Sequence, residues 1–491
     1  MSEASDQVKS QEAFEKKLEQ VYRRSFSVSE GISEGVSGFA FESLVSVERL
    51  SGGASQETYR ITVATPQGNV VHAMRRAAGG VQSEPVVGHP GLEAEALLIQ
   101  SAKLSGVPEP EIYYVLQPSD DLGSGFIMEW LDGEALGARI TRGEAYAGLR
   151  ESLAYECGKI MAQVHQIDLD QTGLREKLDE VSPRDFVEQT WERYKLFDTP
   201  HPMIDYTAVW LMDNLPATYT PALVHNDFRN GNFMVSETDI VAVLDWELAH
   251  IGDPMRDLGW ICVNSWRFGG SKPVGGFGDY ADLFRGYEEV SGHAVDAKAV
   301  KFWEVFGSFW WAVGCLGMAE HYRNGPDKTV ERPAIGRRSS ECQIDCVNLL
   351  IPGEVELITS ASKANDLDMP RVDELLTSVR DFLRADVMEE TTGRVNFLAR
   401  VSSNSLDIVL REWDLGTKGK QAELDRLQTF FGTKDDLGSL RWKMVNKLRD
   451  GTQSLDDVQL QHHLRQTVVN QIAIDQPKYS GFRNALDQSG T

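Results

Sequence analysis

Residues 223–260 constrain this chain more than any other stretch, because they hold two carboxylates and one amide at fixed spacing. Asp227 and Asn232 stand in a His-x-Asp-x-x-x-x-Asn loop that begins at His225. Asp245 comes shortly afterwards, at the end of an apolar run. Carboxylates and amides bind cations, and carboxylates also accept protons, so this stretch is the first candidate for a functional site.

The residues around these side chains predict a loop followed by a β-hairpin. The run 240–244 is short and rich in β-branched residues, which indicates a buried strand. Residues 233–235 form a second short apolar run, and the polar residues 236–239 between the two runs are typical of a turn. Such a hairpin would bring Asp245 close to the preceding loop.

Two carboxylates and an amide in this order suit phosphoryl transfer. A base accepts the proton of a hydroxyl group, while Mg²⁺ held by a carboxylate and an amide neutralises charge on the phosphates. The protein-kinase signature H-R-D-x-x-x-x-N followed by D-F-G has the same order of an aspartate, an asparagine after four intervening residues and a later aspartate. Asp227 is therefore predicted to be the base, and Asn232 and Asp245 the magnesium ligands. An Asp-Asn loop that only forms Asx-turns is the alternative, and the strand before Asp245 argues against it.

The segments HNDFRNGN (225–232) and VLDWELAHIGDP (243–254) resemble the aminoglycoside phosphotransferase and choline kinase family. The second segment is most similar to the branch that is also found fused to acyl-CoA dehydrogenases. That branch is associated with the phosphorylation of hydroxyacyl-CoA. The resemblance covers about residues 40–350 and implies an α+β, bilobal protein-kinase-like fold. Such a fold has a small β-rich N-lobe and a larger, mostly helical C-lobe.

A Gly-Gly turn lies between two predicted strands near the start of this region, in the segment 50–63. Glycine lacks a Cβ, so such a turn lets the backbone approach a phosphate closely, although most turns of this kind are ordinary hairpins. The family has its nucleotide loop here. The resemblance therefore makes Gly52, Gly53, Ser55 and Gln56 phosphate-binding candidates.

The next predicted strand ends at Arg75, where the kinase pattern V-A-I-K has a lysine. Arginine also binds phosphate, through two N–H groups if the geometry allows. The resemblance implies that Arg75 contacts the α- and β-phosphates, and a basic strand end in water is the alternative. The helix predicted at 92–104 corresponds to kinase helix αC, so Glu95 or Glu93 is expected to pair with Arg75, and we favour Glu95.

The last predicted strand of the small lobe lies within residues 125–133. By resemblance, Met128, Glu129 and Leu131 belong to the hinge whose backbone groups bind adenine. The residues alone indicate only a strand that enters a turn. The resemblance as a whole implies ATP and Mg²⁺ as cofactors.

Composition limits the remaining functions. The net charge of −25 argues against a nucleic-acid-binding or anionic-membrane-binding surface. The N-terminus lacks a signal-peptide pattern and no apolar run is long enough to cross a membrane, so we expect a cytoplasmic protein. The five cysteines are scattered, which favours reduced core thiols over disulfides.

We predict four segments. A polar N-terminal segment (1–39) precedes a nucleotide-binding N-lobe (40–132), and a catalytic and substrate-binding C-lobe (133–360) precedes a helical C-terminal domain (361–491). The last segment lacks strand signals and reads as an all-α bundle. Its helices are predicted at about 371–386, 390–413, 418–431, 434–449 and 454–474, with Gly416, Gly432 and Gly451 as stops. Capping-box-like starts are expected at Thr433 and Ser454. The bundle is expected to mediate self-association or to bind a protein partner.

The pattern as a whole predicts an ATP- and Mg²⁺-dependent kinase that phosphorylates the hydroxyl group of a small molecule. A hydroxyacyl-CoA ester is the leading acceptor by resemblance. An aminoglycoside or another amino alcohol is the second candidate, which the net negative charge favours. A non-catalytic, nucleotide-binding scaffold is the alternative from a different class, because Arg75 replaces the expected lysine.

Overall fold

The structure is a computed structural model that describes residues 2–26, 40–50, 56–82, 88–360 and 369–488, with the side chains of residues 2–10 left out. The predicted phosphate-binding residues Gly52, Gly53 and Ser55 lie outside the described residues.

Strands and helices of the described residues alternate irregularly along the chain. The strands are β1 (Ser43–Arg49), β2 (Gln56–Thr65), β3 (Gly68–Ala77), β4 (Ile112–Val115), β5 (Gly125–Glu129), β6 (Ala222–Val224), β7 (Phe233–Val235), β8 (Ile240–Val243) and β9 (His250–Gly252). The helices are α1 (Ser2–Ser25), α2 (Gly91–Leu104), α3 (Gly137–Arg142), α4 (Ala147–His165), α5 (Pro183–Lys195), α6 (Pro202–Asp213), α7 (Met255–Trp260), α8 (Tyr280–Ser291), α9 (Ala297–Asn324), α10 (Glu331–Arg337), α11 (Ser339–Leu350), α12 (Val372–Phe382), α13 (Met388–Glu390), α14 (Gly393–Phe431), α15 (Leu437–Arg449), α16 (Val458–Asp475) and α17 (Ser480–Asp487). No helix among these combines the length and the apolar character needed to cross a membrane.

The chain divides into two compact units, and the first comprises Met1–Val181, Tyr219–Ile261 and Phe277–Val295. This unit contains an antiparallel sheet in the order β1-β2-β3-β5-β4. Alternate side chains of β2 are buried, as expected for a strand with one face in a core. Helix α2 contacts β4 and β5. The predicted α+β fold with a small sheet is thereby confirmed.

Helix α1 contributes to the core of this sheet, although it lies in the segment predicted to be polar. Its buried side chains Phe14, Leu18 and Tyr22 belong to the same apolar cluster as Ile61 and Met74 of the sheet. The apolar positions recur at the spacing of a helix, so one face of an otherwise charged segment is buried.

Helices α4 and α8 pack unusually closely in the first unit. A Cβ atom at Gly158 would lie 2.1 Å from Leu283 O, and one at Gly286 would lie 2.0 Å from Tyr155 O. Both positions therefore need glycine for the two backbones to approach each other.

The second unit comprises Ser182–Thr218, Cys262–Gly276 and Asp296–Thr491, and the secondary-structure elements of its described residues are helices. Its apolar core includes side chains of α6, α11, α14, α15 and α16, among them Tyr206, Val347, Leu427, Met444 and Val469. These helices enclose one core, so residues far apart in the chain stabilise each other.

Two predictions about the C-terminal helices are wrong in detail. Helix α14 runs through Gly416, which is buried in its interior, so this glycine is no stop. A glycine costs a helix only about 1 kcal/mol relative to alanine, which core packing offsets. Helices α15 and α16 begin after the caps Asp436 and Asp457, whose carboxylates accept hydrogen bonds from Ser439 N and Gln459 N. Thr433 and Ser454 precede these caps by three residues.

Candidate functional site

A buried carboxylate holds the loop between β6 and β7 in place. Asp257 of α7 accepts hydrogen bonds from the backbone N–H groups of His225 and Asn226, both at 2.8 Å. His165 Nε2 lies 3.1 Å from the same carboxylate. Burial opposes ionisation, but the hydrogen bond and charge of His165, together with the contacts from His225, hold the pKa of Asp257 below its usual value. Asp257 is therefore a charged brace for the loop.

Asp227 is presented by this loop and is surrounded by three side-chain donors. Trp260 Nε1 and Arg229 Nε donate to its Oδ1 at 2.8 and 3.0 Å. Asn232 Nδ2 donates to its Oδ2 at 2.5 Å. The side chain remains 13% exposed, so a substrate hydroxyl can still approach a carboxylate whose orientation is held from several sides.

His225 connects the loop to the strand that precedes Asp245. Burial lowers the pKa of His225, which keeps the imidazole neutral near pH 7. Its Nδ1 accepts a hydrogen bond from Asp227 N at 3.2 Å, so Nε2 carries the proton and donates to Leu244 O at 3.1 Å. The histidine thus orients the site through hydrogen bonds.

Asn232 and Asp245 are linked through the β7–β8 hairpin. Leu244 N donates to Asn232 O at 2.8 Å, and Asp245 is the next residue. Because Asn232 Nδ2 faces Asp227, its Oδ1 is the atom left to coordinate a cation. One carboxylate and one amide oxygen fit Mg²⁺, which commonly keeps water and phosphate oxygens as its other ligands.

Asp245 adopts a left-handed backbone conformation, with φ 70° and ψ 60°. This conformation is costly for a residue with a Cβ and is concentrated at functional sites. It begins the short helical turn Trp246–Leu248, so the chain turns sharply immediately after the buried strand β8. The sharp turn exposes 35% of the Asp245 side chain.

Arg75 lies at the centre of a cluster of acidic side chains. Its Nη1 is 3.0 Å from Glu95 Oε1, and its Nη2 is 2.8 Å from Asp245 Oδ1 and 3.9 Å from Glu247 Oε2. Its Nε donates to Gln56 Oε1. One arginine therefore faces three carboxylates, and this excess of negative charge suits a divalent cation.

Glu95 is the αC-type partner of Arg75 in the structure, and Glu93 pairs with Lys177 instead, at 2.9 Å. Burial raises the pKa of Glu95 to about 7, against the opposing effect of Arg75, and the charges of Asp245 and Glu247 raise it further. The ion pair between Arg75 and Glu95 is therefore sensitive to pH near neutrality.

Glu109 is a buried carboxyl that the sequence did not single out. It accepts a hydrogen bond from Trp246 Nε1 at 3.0 Å. Burial raises the pKa of Glu109 well above its usual value, which favours the neutral form of this carboxyl. It anchors the tryptophan next to Asp245. The sequence signal was the tryptophan itself, because a buried indole N–H needs an acceptor.

The predicted hinge residues lie at the end of β5 and just beyond it. Met128 pairs with Ala73 of β3, and Glu129 N donates to Glu111 O at 2.8 Å. This N–H is therefore already used within the protein. Leu131 follows the strand and is partly exposed.

Comparisons with known proteins point to one family. The sequence profile of the phosphotransferase enzyme family matches residues 46–293, and that of a domain of unknown function matches residues 389–479. The first match covers just over half of the 491 residues.

Curated relatives include proteins that are much longer than the aligned region. Acyl-CoA dehydrogenase family member 10 of Mus musculus is 30% identical over 183 residues, which is 35% of this chain and 16% of the mouse protein. Acyl-CoA dehydrogenase family member 11 of Gallus gallus is 28% identical over 226 residues, which is 44% of this chain and 27% of the chicken protein. The alignments thus span less than a third of either relative.

A solved structure supports the fold. A candidate aminoglycoside phosphotransferase from Ralstonia eutropha aligns with a TM-score of 0.53 at 24% identity, over 67% of this chain and 95% of that chain. The predicted kinase-like fold is confirmed by this likeness.

Proposed function

The chain belongs to the phosphotransferase enzyme family, and from this premise we propose that it is a small-molecule kinase that transfers the γ-phosphate of ATP to a substrate hydroxyl. The observation that carries the proposal is the arrangement around Asp227, whose carboxylate is oriented by Trp260, Arg229 and Asn232. As the hydroxyl oxygen forms its bond to the γ-phosphorus and the bond to ADP breaks, Asp227 Oδ accepts the hydroxyl proton.

We assign the donor phosphates to Arg75 and the metal to the hairpin. Asn232 Oδ1 and the Asp245 carboxylate would hold Mg²⁺, which neutralises charge on the transferring phosphate. Arg75 would contact the α- and β-phosphates, braced by Glu95 at 3.0 Å. Its contact with Asp245, at 2.8 Å, must then be exchanged for phosphate and metal contacts on nucleotide binding. The hinge residues Met128, Glu129 and Leu131 and the loop residues Gly52, Gly53 and Ser55 remain proposed nucleotide contacts.

For the acceptor we propose a hydroxyacyl-CoA ester. The support is that the relatives are named as acyl-CoA dehydrogenase family members. An amino alcohol such as an aminoglycoside is the second candidate, supported by the net charge of −25, which attracts cationic substrates.

A nucleotide-binding scaffold without transfer activity is the alternative. Arg75 in the place of lysine supports it, and the Asp227–Asn232–Asp245 set opposes it, because binding alone does not need a base. Turnover separates the two proposals, since a scaffold binds Mg-ATP without forming ADP.

The experiment is ADP formation from Mg-ATP with a panel of 4-hydroxyacyl-CoAs, choline, kanamycin and homoserine. We expect turnover with the acyl-CoAs that is lost in Asp227→Ala, while calorimetry still detects nucleotide binding. Asp239→Ala removes an exposed carboxylate from the β7–β8 turn and serves as the matched control. Turnover only with an amine-bearing acceptor would replace the proposed substrate. ATP binding with no turnover on any acceptor would favour the scaffold.

We also propose that the chain is cytoplasmic and that its domains meet near residues 132 and 360.

We propose further that the chain self-associates through α12. Val372, Leu375, Val379 and Phe382 recur on one face of this helix, and each is between 41% and 56% exposed. Their 3-4-3 spacing is that of a helix that packs against a second helix, and the same face of a second copy would bury it.

A further inference from the structure

A cavity of about 250 Å³ lies within the second unit, among α10, α11, the first half of α14 and the end of α16. Much of its wall is apolar and includes Ile335, Phe397, Val401 and Ile408. Phe397 is 42% exposed, so its apolar ring remains accessible to a ligand. The cavity is far in sequence from the residues assigned to phosphoryl transfer and uses none of them.

One wall of this cavity carries a cation with free donors. Arg338 Nε donates to Glu341 Oε2 at 3.1 Å, and neither terminal nitrogen of Arg338 makes a hydrogen bond within the described part of the chain. The side chain is 39% exposed. Burial opposes its charge, but Glu341 keeps the pKa of Arg338 above its usual value, so the guanidinium stays charged.

The other charges of the wall are already paired. Arg337 Nε donates to Asp475 Oδ1 at 2.8 Å, and its Nη2 donates to Glu412 Oε2 at 2.5 Å. Glu331 is paired with Arg394. Arg338 thus keeps both terminal nitrogens for a ligand, whereas Arg337 keeps only Nη1, and the fork of Arg338 matches the two oxygens of a carboxylate.

We propose that this cavity binds a small carboxylate with an aliphatic body, such as a medium-chain fatty acid. The carboxylate is held by the terminal nitrogens of Arg338, and the aliphatic chain lies against Phe397, Val401 and Ile408. A pocket with apolar side chains and a small number of polar or charged groups is the usual composition of a small-molecule site. The site draws α14 residues from the segment that matches a domain of unknown function, which thereby acquires a ligand-binding role.

The test is calorimetric titration of the full chain with octanoate, and with octan-1-ol as the uncharged analogue of the same length. We expect octanoate to bind, and octan-1-ol to bind at least about tenfold more weakly, because a charge-assisted hydrogen bond is lost. Arg338→Gln should weaken octanoate binding by at least about tenfold and leave octan-1-ol unchanged. Arg400→Gln, an exposed change of the same kind on α14, should leave both unchanged.

A second variant keeps the test decisive if Arg338→Gln does not fold. Val401→Trp fills the cavity from its apolar side, and we expect it to abolish octanoate binding while ADP formation stays at the level of the unmodified chain. Equal affinity for octanoate and octan-1-ol, or full octanoate binding by Val401→Trp, overturns the proposal. An absence of octanoate binding to the unmodified chain overturns it as well.

Discussion

Arg75 Nη2 lies 2.8 Å from Asp245 Oδ1, while Nη1 of the same guanidinium lies 3.0 Å from Glu95 Oε1. A single planar group therefore joins the end of strand β3 to helix α2 and to the turn after strand β8. An ammonium group cannot satisfy two carboxylates with this fork geometry, which gives arginine a structural reason to occupy the position.

Replacement of Arg75 should weaken nucleotide binding. We expect Arg75→Met to raise the Kd for Mg-ATP by about 10- to 100-fold, because charged hydrogen bonds are lost, and Arg75→Lys to have an intermediate effect. Titration calorimetry measures both. Arg60→Met on the neighbouring strand removes the same charge away from the acidic cluster and should leave the affinity unchanged. Unaltered ATP affinity in Arg75→Met would remove this residue from the donor site.

Glu95 should make stability depend on pH. Its pKa rises from an ordinary 4.5 to about 7 in the folded chain, so between these pH values the folded state binds a proton that the unfolded state has released. The stabilisation is therefore complete below pH 4.5 and is lost as the pH rises through 7, by about 3 kcal/mol in all. Urea unfolding of the unmodified chain and of Glu95→Gln at pH 5 and pH 8 isolates this effect. Parallel changes in the two proteins would contradict it.

Asp257→Asn should disturb the loop that carries Asp227. An amide nitrogen replaces one of the two oxygens that accept the N–H groups of His225 and Asn226, which leaves a buried donor facing a donor. We expect the free energy of unfolding to fall by about 1–3 kcal/mol, and kcat to fall more than the affinity for ATP. Urea unfolding and steady-state kinetics measure the two effects. Asp239→Asn is the control, and an unchanged kcat in folded Asp257→Asn would argue against the brace.

Trp260→Phe removes the 2.8 Å hydrogen bond to Asp227 Oδ1 and retains an aromatic ring beside Arg256. We expect kcat to fall by about tenfold, with little change in the KM for ATP, because the variant loses only a positioning contact of the base. Steady-state kinetics give both constants. Trp413→Phe changes an exposed tryptophan of α14, outside the residues assigned to the site, and should behave as the unmodified chain. If the two variants have the same kcat, Trp260 has no positioning role.

Charge on the exposed face of α12 should prevent self-association. We expect the unmodified chain to be a dimer and Leu375→Glu to be a monomer, because burying an unpaired carboxylate in an apolar interface is costly. Light scattering coupled to size-exclusion chromatography gives the mass of each. Gln421→Glu introduces the same charge at an exposed position of α14, outside α12, and should remain a dimer. A monomeric unmodified chain would end this proposal.

Much of the first unit could be predicted from local patterns. The helix predicted at 92–104 is α2, and the strands predicted around Asp245 are β7 and β8. These elements are short. The apolar residues of α2 have helical spacing, and β7 and β8 are short apolar runs typical of buried strands, so local sequence and packing favour the same structure. The prediction that a helix ends at Gly416 is wrong, because packing around α14 outweighs the low helix propensity of a single glycine.

The sequence by itself determined only which residues are candidates for the chemistry, because the Asp227, Asn232 and Asp245 spacing and the position of Arg75 depend on neighbours along the chain. Only the tertiary structure decided which partners those residues have. Glu93 and Glu95 lie on different sides of α2, and only Glu95 is buried against Arg75. Asp257 of α7 accepts hydrogen bonds from a loop 31 residues earlier in the chain. Contacts of this kind depend on how distant elements pack, and no local pattern of residues encodes that packing.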